Sequence, residues 1–370
     1  MYDTDKEIVI IGAGPVGLAL AKELGELGLH STIYDSKSSV SEGSDKASGI
    51  LSIGGLNELG ISYDKYKTAV LNTLNGARIH AGKTVLNIEA DNDKAYILDR
   101  KKFAELLAKY AKENGATLKL KTRLNKEELL KMQNNNTIIV GADGAVSTVA
   151  KTFNFPPIEK FILTYKAEYK NVDVEDVKKV ELFFSNNITN GFFGWIAPYS
   201  KSNIEIGIGV SSDSKKNSFS VFSDFINKKE IADKIEGAKL VKEAASIIPI
   251  EVRKKTAMRS IILVGDSAGQ VKASTGGGII FGISCAKIAA STIYRYIQGD
   301  IDSLSEYERL WRRNYLFDLK LHKFIHNYYS SSTTLLSTTM RILKVFGIEQ
   351  FLAKYGNMDK PSLMFKFKNH

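Results

Sequence analysis

At 370 residues, with 44% hydrophobic and 25% charged content, the chain is long for one domain, short for three, and able to bury a large core. Its one cysteine, Cys285, excludes an intrachain disulfide and a multi-cysteine metal site. The net charge of +10 (Lys+Arg 51, Asp+Glu 41) fits an anionic membrane surface, a phosphorylated ligand or simply a lysine-rich surface. No known nucleic-acid module accompanies it, so no nucleic-acid partner is expected.

The opening MYDTDKEIVIIGAG carries acidic residues where a leader peptide carries basic ones, and a cytoplasmic location is expected. Ile8-Val9-Ile10-Ile11 reads as a strand buried on both faces, as in a parallel sheet. Leu18, Ala21, Leu24 and Leu27 fall at helical spacing, and Gly28 ends that helix. Ser31-Thr32-Ile33-Tyr34 is a second strand, closed by Asp35, and Ser36 to Ser48 is a polar loop. Ala77–His80 and Val85–Ile88 predict antiparallel strands, and Asp99 to Gly115 a capped amphipathic helix. Thr137–Val140 is a buried strand opening on Gly141-Ala142-Asp143-Gly144. Ile162–Tyr165, Val180–Phe184 and Ile204–Gly207 predict a second antiparallel group, followed by a helix over Ser220 to Ile235. Ser260–Val264 is the last buried strand and opens on Gly265-Asp266. The apolar run Gly276 to Tyr294 is interrupted by Lys287 and reads as a buried helix rather than a membrane span. The remainder is helical and basic.

The expected fold is therefore α/β, with a Rossmann-type domain interleaved with an antiparallel sheet domain and followed by a helical C-terminal region. The boundaries read as 1–72, 96–155 and 256–300 for the nucleotide lobe, 73–95 and 156–255 for the sheet lobe, and 301–370 for the helical region.

The loop Gly12-Ala13-Gly14-Pro15-Val16-Gly17, between strand and helix, points to a dinucleotide. Gly12 permits the tight turn, Gly14 lets the backbone approach a pyrophosphate, and Gly17 lets the helix pack on the strand. The helix N-terminus offers free N–H groups and partial positive charge. Asp35 is placed to accept from an adenosine ribose. Gly265-Asp266, at the end of a buried strand, is similar to the Gly-Asp that reaches the ribityl chain in FAD enzymes of the aromatic-hydroxylase group; Asp266 is a short acceptor for such hydroxyls, or alternatively a helix cap. Gly276-Gly277-Gly278 and Ile279 open a helix whose backbone N–H groups could meet a flavin's pyrimidine edge; the bland alternative is a hinge. Arg100 could reach the pyrophosphate or stand as a solvated cation, and Asp143 could contact the same region or form a turn.

These segments, in this order, resemble the FAD-dependent geranylgeranyl reductase family, within the group shaped like p-hydroxybenzoate hydroxylase. The most specific stretch is GDSAGQVKASTGGGIIFGISCAKIAA, Gly265 to Ala290; Asp99-Arg100 with Phe103 and Gly141-Ala142-Asp143-Gly144 also match. The resemblance implies FAD as cofactor, with Ser36, Lys46, Ala47, Ser48 and Leu124 joining the residues above. It implies an apolar isoprenoid tunnel around Phe193, Trp195, Pro198 and Gly207, where ordinary sheet-core aromatics are the competing reading. Three positions depart from the family: Ala47 stands at the usual Cys, Phe193 at the usual Tyr, and Ala197 at the usual Phe.

The implied activity is reduction of C=C bonds in geranylgeranyl chains of archaeal-type ether lipids, with hydride from flavin N5. The donor would be NAD(P)H or a small electron carrier. A flavin-dependent monooxygenase and a non-catalytic FAD- or isoprenoid-binding paralogue are the alternatives. Arg309, Arg312, Arg313, Lys320, His322 and Lys323 interleave with Trp311, Tyr315, Phe317 and Phe324. That pattern suits a helix resting on anionic headgroups or one packed on the nucleotide lobe, so peripheral contact with the inner membrane face is an expectation.

Overall fold

The structure, a computed structural model, describes residues 6–186 and 188–365; positions 1–5 and 366–370 of the expected domain ranges lie outside these. Strand β1 (Glu7–Ile11) runs into helix α1 (Pro15–Glu26) and returns as β2 (Thr32–Tyr34), parallel to β1. Then come β3 (Ile50–Ser52), α2 (Ile53–Glu58), α3 (Tyr63–Tyr66), β4 (Val70–Leu74), β5 (Gly76–Ala81), β6 (Thr84–Glu89) and β7 (Ala95–Leu98). Helix α4 (Arg100–Glu113) starts where the Asp99 carboxylate accepts from the N–H groups of Lys101 and Lys102, and ends at Gly115 with φ +85°. Next are β8 (Thr117–Lys119), α5 (Lys126–Met132), β9 (Thr137–Gly141) and α6 (Thr148–Thr152). The second lobe supplies β10 (Phe161–Lys170), β11 (Lys179–Phe184), β12 (Gly194–Ser200), β13 (Asn203–Ser211), α7 (Ser218–Ile226), α8 (Lys229–Ala232) and β14 (Lys239–Pro249). The chain finishes with β15 (Ala257–Met258), β16 (Ile261–Leu263), α9 (Ile279–Ile297), α10 (Ser305–Ser331), α11 (Thr333–Val345) and α12 (Ile348–Tyr355).

The first sheet has the order β15-β16-β9-β1-β2-β8 and is parallel except at β15. Alternate residues of β1 enter different cores. Ile8 and Ile10 join α1, α4 and α9; Val9 and Ile11 join Val149 and Phe153 on the other side. That double burial is why the run is wholly apolar.

The second sheet has the order β14-β10-β13-β12-β11-β5-β6. The expectation of a purely antiparallel sheet is corrected at one place: β5 pairs with β11 in parallel. The expected helix over 220–235 is two helices. Ile231 lies six residues beyond Phe225, off the apolar stripe of a continuous helix, and an extended Lys228 (φ −67°, ψ 133°) turns the chain so that both are buried. β14 carries no clean alternation in KLVKEAASIIP, but its antiparallel ladder with β10 settles it as a strand. A small third sheet, β3-β7-β4, is paired with neither but packs on both: Leu51 and Leu98 join the core of the first, and Leu74, Ala95 and Ile97 join Trp195 of the second.

Candidate functional site

Three segments converge beside β1. Gly12 closes β1 at φ +110°, and a Cβ there would sit 2.3 Å from the Ala142 carbonyl oxygen. A Cβ on Gly17 would sit 2.0 Å from the Gly12 oxygen, so both glycines are required by close backbone approach. Gly14 differs: nothing lies within 4 Å of its Cβ position, so its open side is available to a ligand. Gly14 is also the N-cap of α1 without a side-chain cap, and Pro15 opens the helix. Val16 packs between the other segments, since a Cβ on Gly265 or Gly282 would meet its side chain.

Asp35 ends β2 with its carboxylate turned to the loop. Oδ2 accepts from the Ala13 N–H at 2.7 Å and Oδ1 from the Lys37 N–H at 2.9 Å. Each oxygen keeps a lone pair for a further donor. Ser36 is exposed beside it. Leu124 packs on the core formed by Val9, Ile11 and Tyr34. Asp143 serves its own turn: Oδ2 accepts from the Val149 N–H at 3.0 Å, while Oδ1 is buried without a partner, and burial pushes its pKa up.

Gly265 (φ +66°) and Asp266 follow β16. The cap alternative for Asp266 is not realised: Asp266 lies inside the short helix after β16, and α9, the next helix, has no side-chain cap bond. Its Oδ1 would lie 2.8 Å from a Cβ on Gly278, at the N-terminus of α9. Burial pushes the Asp266 pKa up to about 6, against the partial opposition of Arg100. The Arg100 guanidinium is enclosed in turn: its Nε is buried with no hydrogen-bond partner, and burial lowers its pKa to about 10. A solvated cation is therefore the wrong description of Arg100. Its residual demand for an acceptor, the open face of Gly14, and the lightly partnered carboxylate of Asp266 fit a group bearing both phosphates and hydroxyls. FAD is such a group, and Gly12 to Gly17, Arg100, Asp266 and Gly277 to Ile279 are the residues that would hold it.

The loop 36–48 is tied to α4 and β14, its Asp45 carboxylate pairing with Lys101 and Lys242. Lys46 and Ala47 are exposed, and Ser48 Oγ is buried without a partner. The Ala47 carbonyl accepts from Lys166 Nζ at 3.3 Å.

Lys166 belongs to a cluster that no sequence motif singles out. On the sheet face toward the nucleotide lobe, Glu205 Oε2 accepts from Lys166 Nζ at 2.5 Å and from Tyr199 OH at 2.6 Å, and Oε1 accepts from Trp195 Nε1 at 2.8 Å. Lys166 and Glu205 are 3% and 0% exposed. Burial, then Glu205, pushes the Tyr199 hydroxyl pKa well up. The available signal is a charge inside each of two neighbouring strands, Lys166 in β10 and Glu205 among the buried residues of β13.

Of the expected tunnel residues, Phe193, Trp195 and Gly207 come together; a Cβ on Gly207 would lie 2.1 Å from the Trp195 ring. Pro198 does not join them. It is in register with Ile204, whose side chain faces the core under α7. Phe193 and Trp195 are buried in a cluster that also contains Phe192, Ala273 and Tyr329.

The chain matches the family model described as FAD binding domain over residues 5–310. It is 26% identical over 394 residues to a digeranylgeranylglycerophospholipid reductase of Methanocaldococcus jannaschii, covering 98% of this chain and 97% of that one. It shares its fold with a geranylgeranyl bacteriochlorophyll reductase-like protein of Thermoplasma acidophilum, at TM-score 0.80 and 20% identity, covering 98% and 95% of the two chains. A halogenase in complex with FAD also shares the fold, at TM-score 0.68 and 13% identity over 97% and 88%.

Proposed function

The chain belongs to the FAD binding domain family and is an FAD-dependent oxidoreductase, and from that premise we propose that it reduces C=C bonds of polyprenyl chains on an archaeal-type ether lipid. The observation that carries the reading is the convergence of the Gly12–Gly17 loop, Gly265-Asp266 and Gly276–Gly278 around two half-buried charges, Asp266 and Arg100, whose Nε has no hydrogen-bond partner. The reductase relatives, matched over almost their whole length, support the substrate class.

FAD, when bound, supplies hydride chemistry at N5. The chain's own residues hold, orient and shield. The α1 N-terminus and Arg100 take the pyrophosphate, Asp35 and Asp266 take sugar and ribityl hydroxyls, and Gly277 to Ile279 meet the ring. The segments 73–95 and 156–255 form the substrate lobe. Lys166 ties that lobe to the loop through Ala47, which helps exclude water where the chain must lie against the ring. Electrons come from NAD(P)H or a small carrier that binds transiently.

Among the described residues no helix is long and apolar enough to cross a membrane. Contact with a lipid surface would instead use the C-terminal helices. On α10 the expected face divides: Trp311 and His322 are buried, while Phe317 and Phe324 are 69% and 66% exposed. Val345, the last residue of α11, and Phe346, which follows it, are 82% and 81% exposed beside Arg341 and Lys344, a better point of entry.

A flavin-dependent monooxygenase is the second reading, favoured by the charged Lys166–Glu205–Tyr199 group where a wholly apolar tunnel would be simplest. Anaerobic mixing of the reduced holoprotein with digeranylgeranylglyceryl lipid separates them. Flavin reoxidation by lipid without oxygen is expected. Reoxidation only by oxygen, with a hydroxylated product, would replace the first reading with the second, and no turnover with either would leave a binding paralogue.

A further inference from the structure

The residues after α12 return to the loop assigned to the flavin ring. Lys272 shapes that loop: its carbonyl accepts from the Gly276 N–H at 2.7 Å, and its own N–H donates to the Gly277 carbonyl at 3.1 Å. Its side chain runs beneath Gly277, where a Cβ would lie 2.7 Å from Cε and 3.2 Å from Nζ. The ammonium then donates to Asp359 Oδ1 at 2.7 Å and to the Met358 carbonyl at 3.2 Å. Both charged side chains are 8% exposed.

Asp359 is gripped from every side. Ser52 at the end of β3 donates to its other oxygen. His322 of α10 donates from Nε2 to its backbone carbonyl at 2.9 Å and accepts at Nδ1 from Ser274 Oγ at 2.6 Å. Asp318 of α10 accepts from the Ser362 N–H at 3.1 Å, and Lys360 bonds Glu58 of α2. Burial alone would raise the Asp359 pKa, but Lys272 and Ser52 together hold it below the ordinary value. A buried ion pair of this kind is costly to build, and its usual return is specific geometry.

We propose that Asp359, well beyond the family match that ends at residue 310, is a positioning residue for the flavin. It orients Lys272 under Gly277 and partly neutralises it, and so sets the charge felt at the ring's pyrimidine edge. The proposal rests on the placement of that edge at Gly277–Gly278 given above. Reduction adds negative charge to the flavin at N1 and O2, so a cation there favours the reduced form and a nearby anion opposes it. The ammonium is closer to the loop than the carboxylate, so the pair acts as a net positive end.

The test is the midpoint potential of FAD bound to the full-length protein. Asp359→Asn removes the opposing charge, and the reduced-to-oxidised ratio at fixed potential should rise about tenfold, about 30 mV for two electrons. Lys272→Gln should move it the other way by a similar factor. The neutral double variant, which strands no charge and folds even if a single one does not, should lie below the wild type. A purely structural pair would lower FAD occupancy in every variant and leave the potential of the bound fraction unchanged. That result, or shifts of the same sign in both single variants, overturns the proposal. Asp266→Ala separates the underlying placement: FAD affinity unchanged in that variant means the flavin is not on this loop and both statements fall. Lost affinity there, with potentials unmoved in the Lys272 and Asp359 variants, refutes the positioning role alone.

Discussion

At the scale of single residues, Asp266 gives the clearest pH signature. Its folded pKa, about 6, lies above its ordinary 3.8, so between those values the folded protein keeps a proton that the unfolded chain has released. The associated stability is full below about pH 4, declines as pH rises toward 6, and stays reduced above. A gap of about two pH units corresponds to about 3 kcal/mol. Asp266→Asn should therefore raise the melting temperature of the cofactor-free protein at pH 7–8 and give no gain near pH 3.5. The same position should matter oppositely for FAD: Asp266→Ala should cost about 1.5–3 kcal/mol of cofactor affinity by titration, the range for hydrogen bonds to a charged group. Glu205→Gln leaves Lys166 with Glu168, 3.8 Å away, as its remaining charged partner and should destabilise by about 1–3 kcal/mol in denaturant unfolding. The residues differ in how far the sequence announces them. Gly12, Gly14, Gly17 and Asp35 act through local spacing, so their pattern is legible in the linear order of residues alone. Glu205 finds Lys166 only once β10 and β13 are in register, and Asp359 meets Lys272 across 87 residues, which no local pattern encodes.

At the scale of elements, β12 and β13 are fitted to each other through one side chain. The Trp195 ring occupies the place of the absent Gly207 side chain. Gly207→Ala should overpack this contact and cost about 1–3 kcal/mol, and adding Trp195→Phe should recover part of the loss. Equal destabilisation in the single and double variants would show that the strain lies elsewhere. Strands buried on both faces, β1, β9 and β16, are plain in the sequence because their central residues must all be apolar. β14 is not, since its burial is partial and its identity comes from pairing with β10. The parallel match of β5 with β11 is equally hidden, because strand direction leaves no mark on composition.

At the scale of the molecule, the cofactor lobe, the sheet lobe and the C-terminal helices meet around one loop. Phe192 and Phe193 of the sheet lobe stack on each other and meet Tyr329 of α10 edge to face, and Ala273 of the loop before α9 joins the same cluster. The polarity of the whole suggests how a lipid arrives. Phe346→Asp should weaken sedimentation with anionic vesicles, while FAD absorbance and melting temperature stay near the wild type. Binding that is unaffected by this change and by salt would move the contact off the α11–α12 turn.

The most direct test of the account is the product itself. Holoprotein reduced without oxygen is given digeranylgeranylglyceryl phospholipid, and the lipid is weighed by mass spectrometry. Saturation should appear as two hydrogens gained per reoxidised flavin, and should vanish in Asp266→Ala when that variant is free of FAD. Unaltered lipid beside a fully loaded, fully reduced flavin would contradict it.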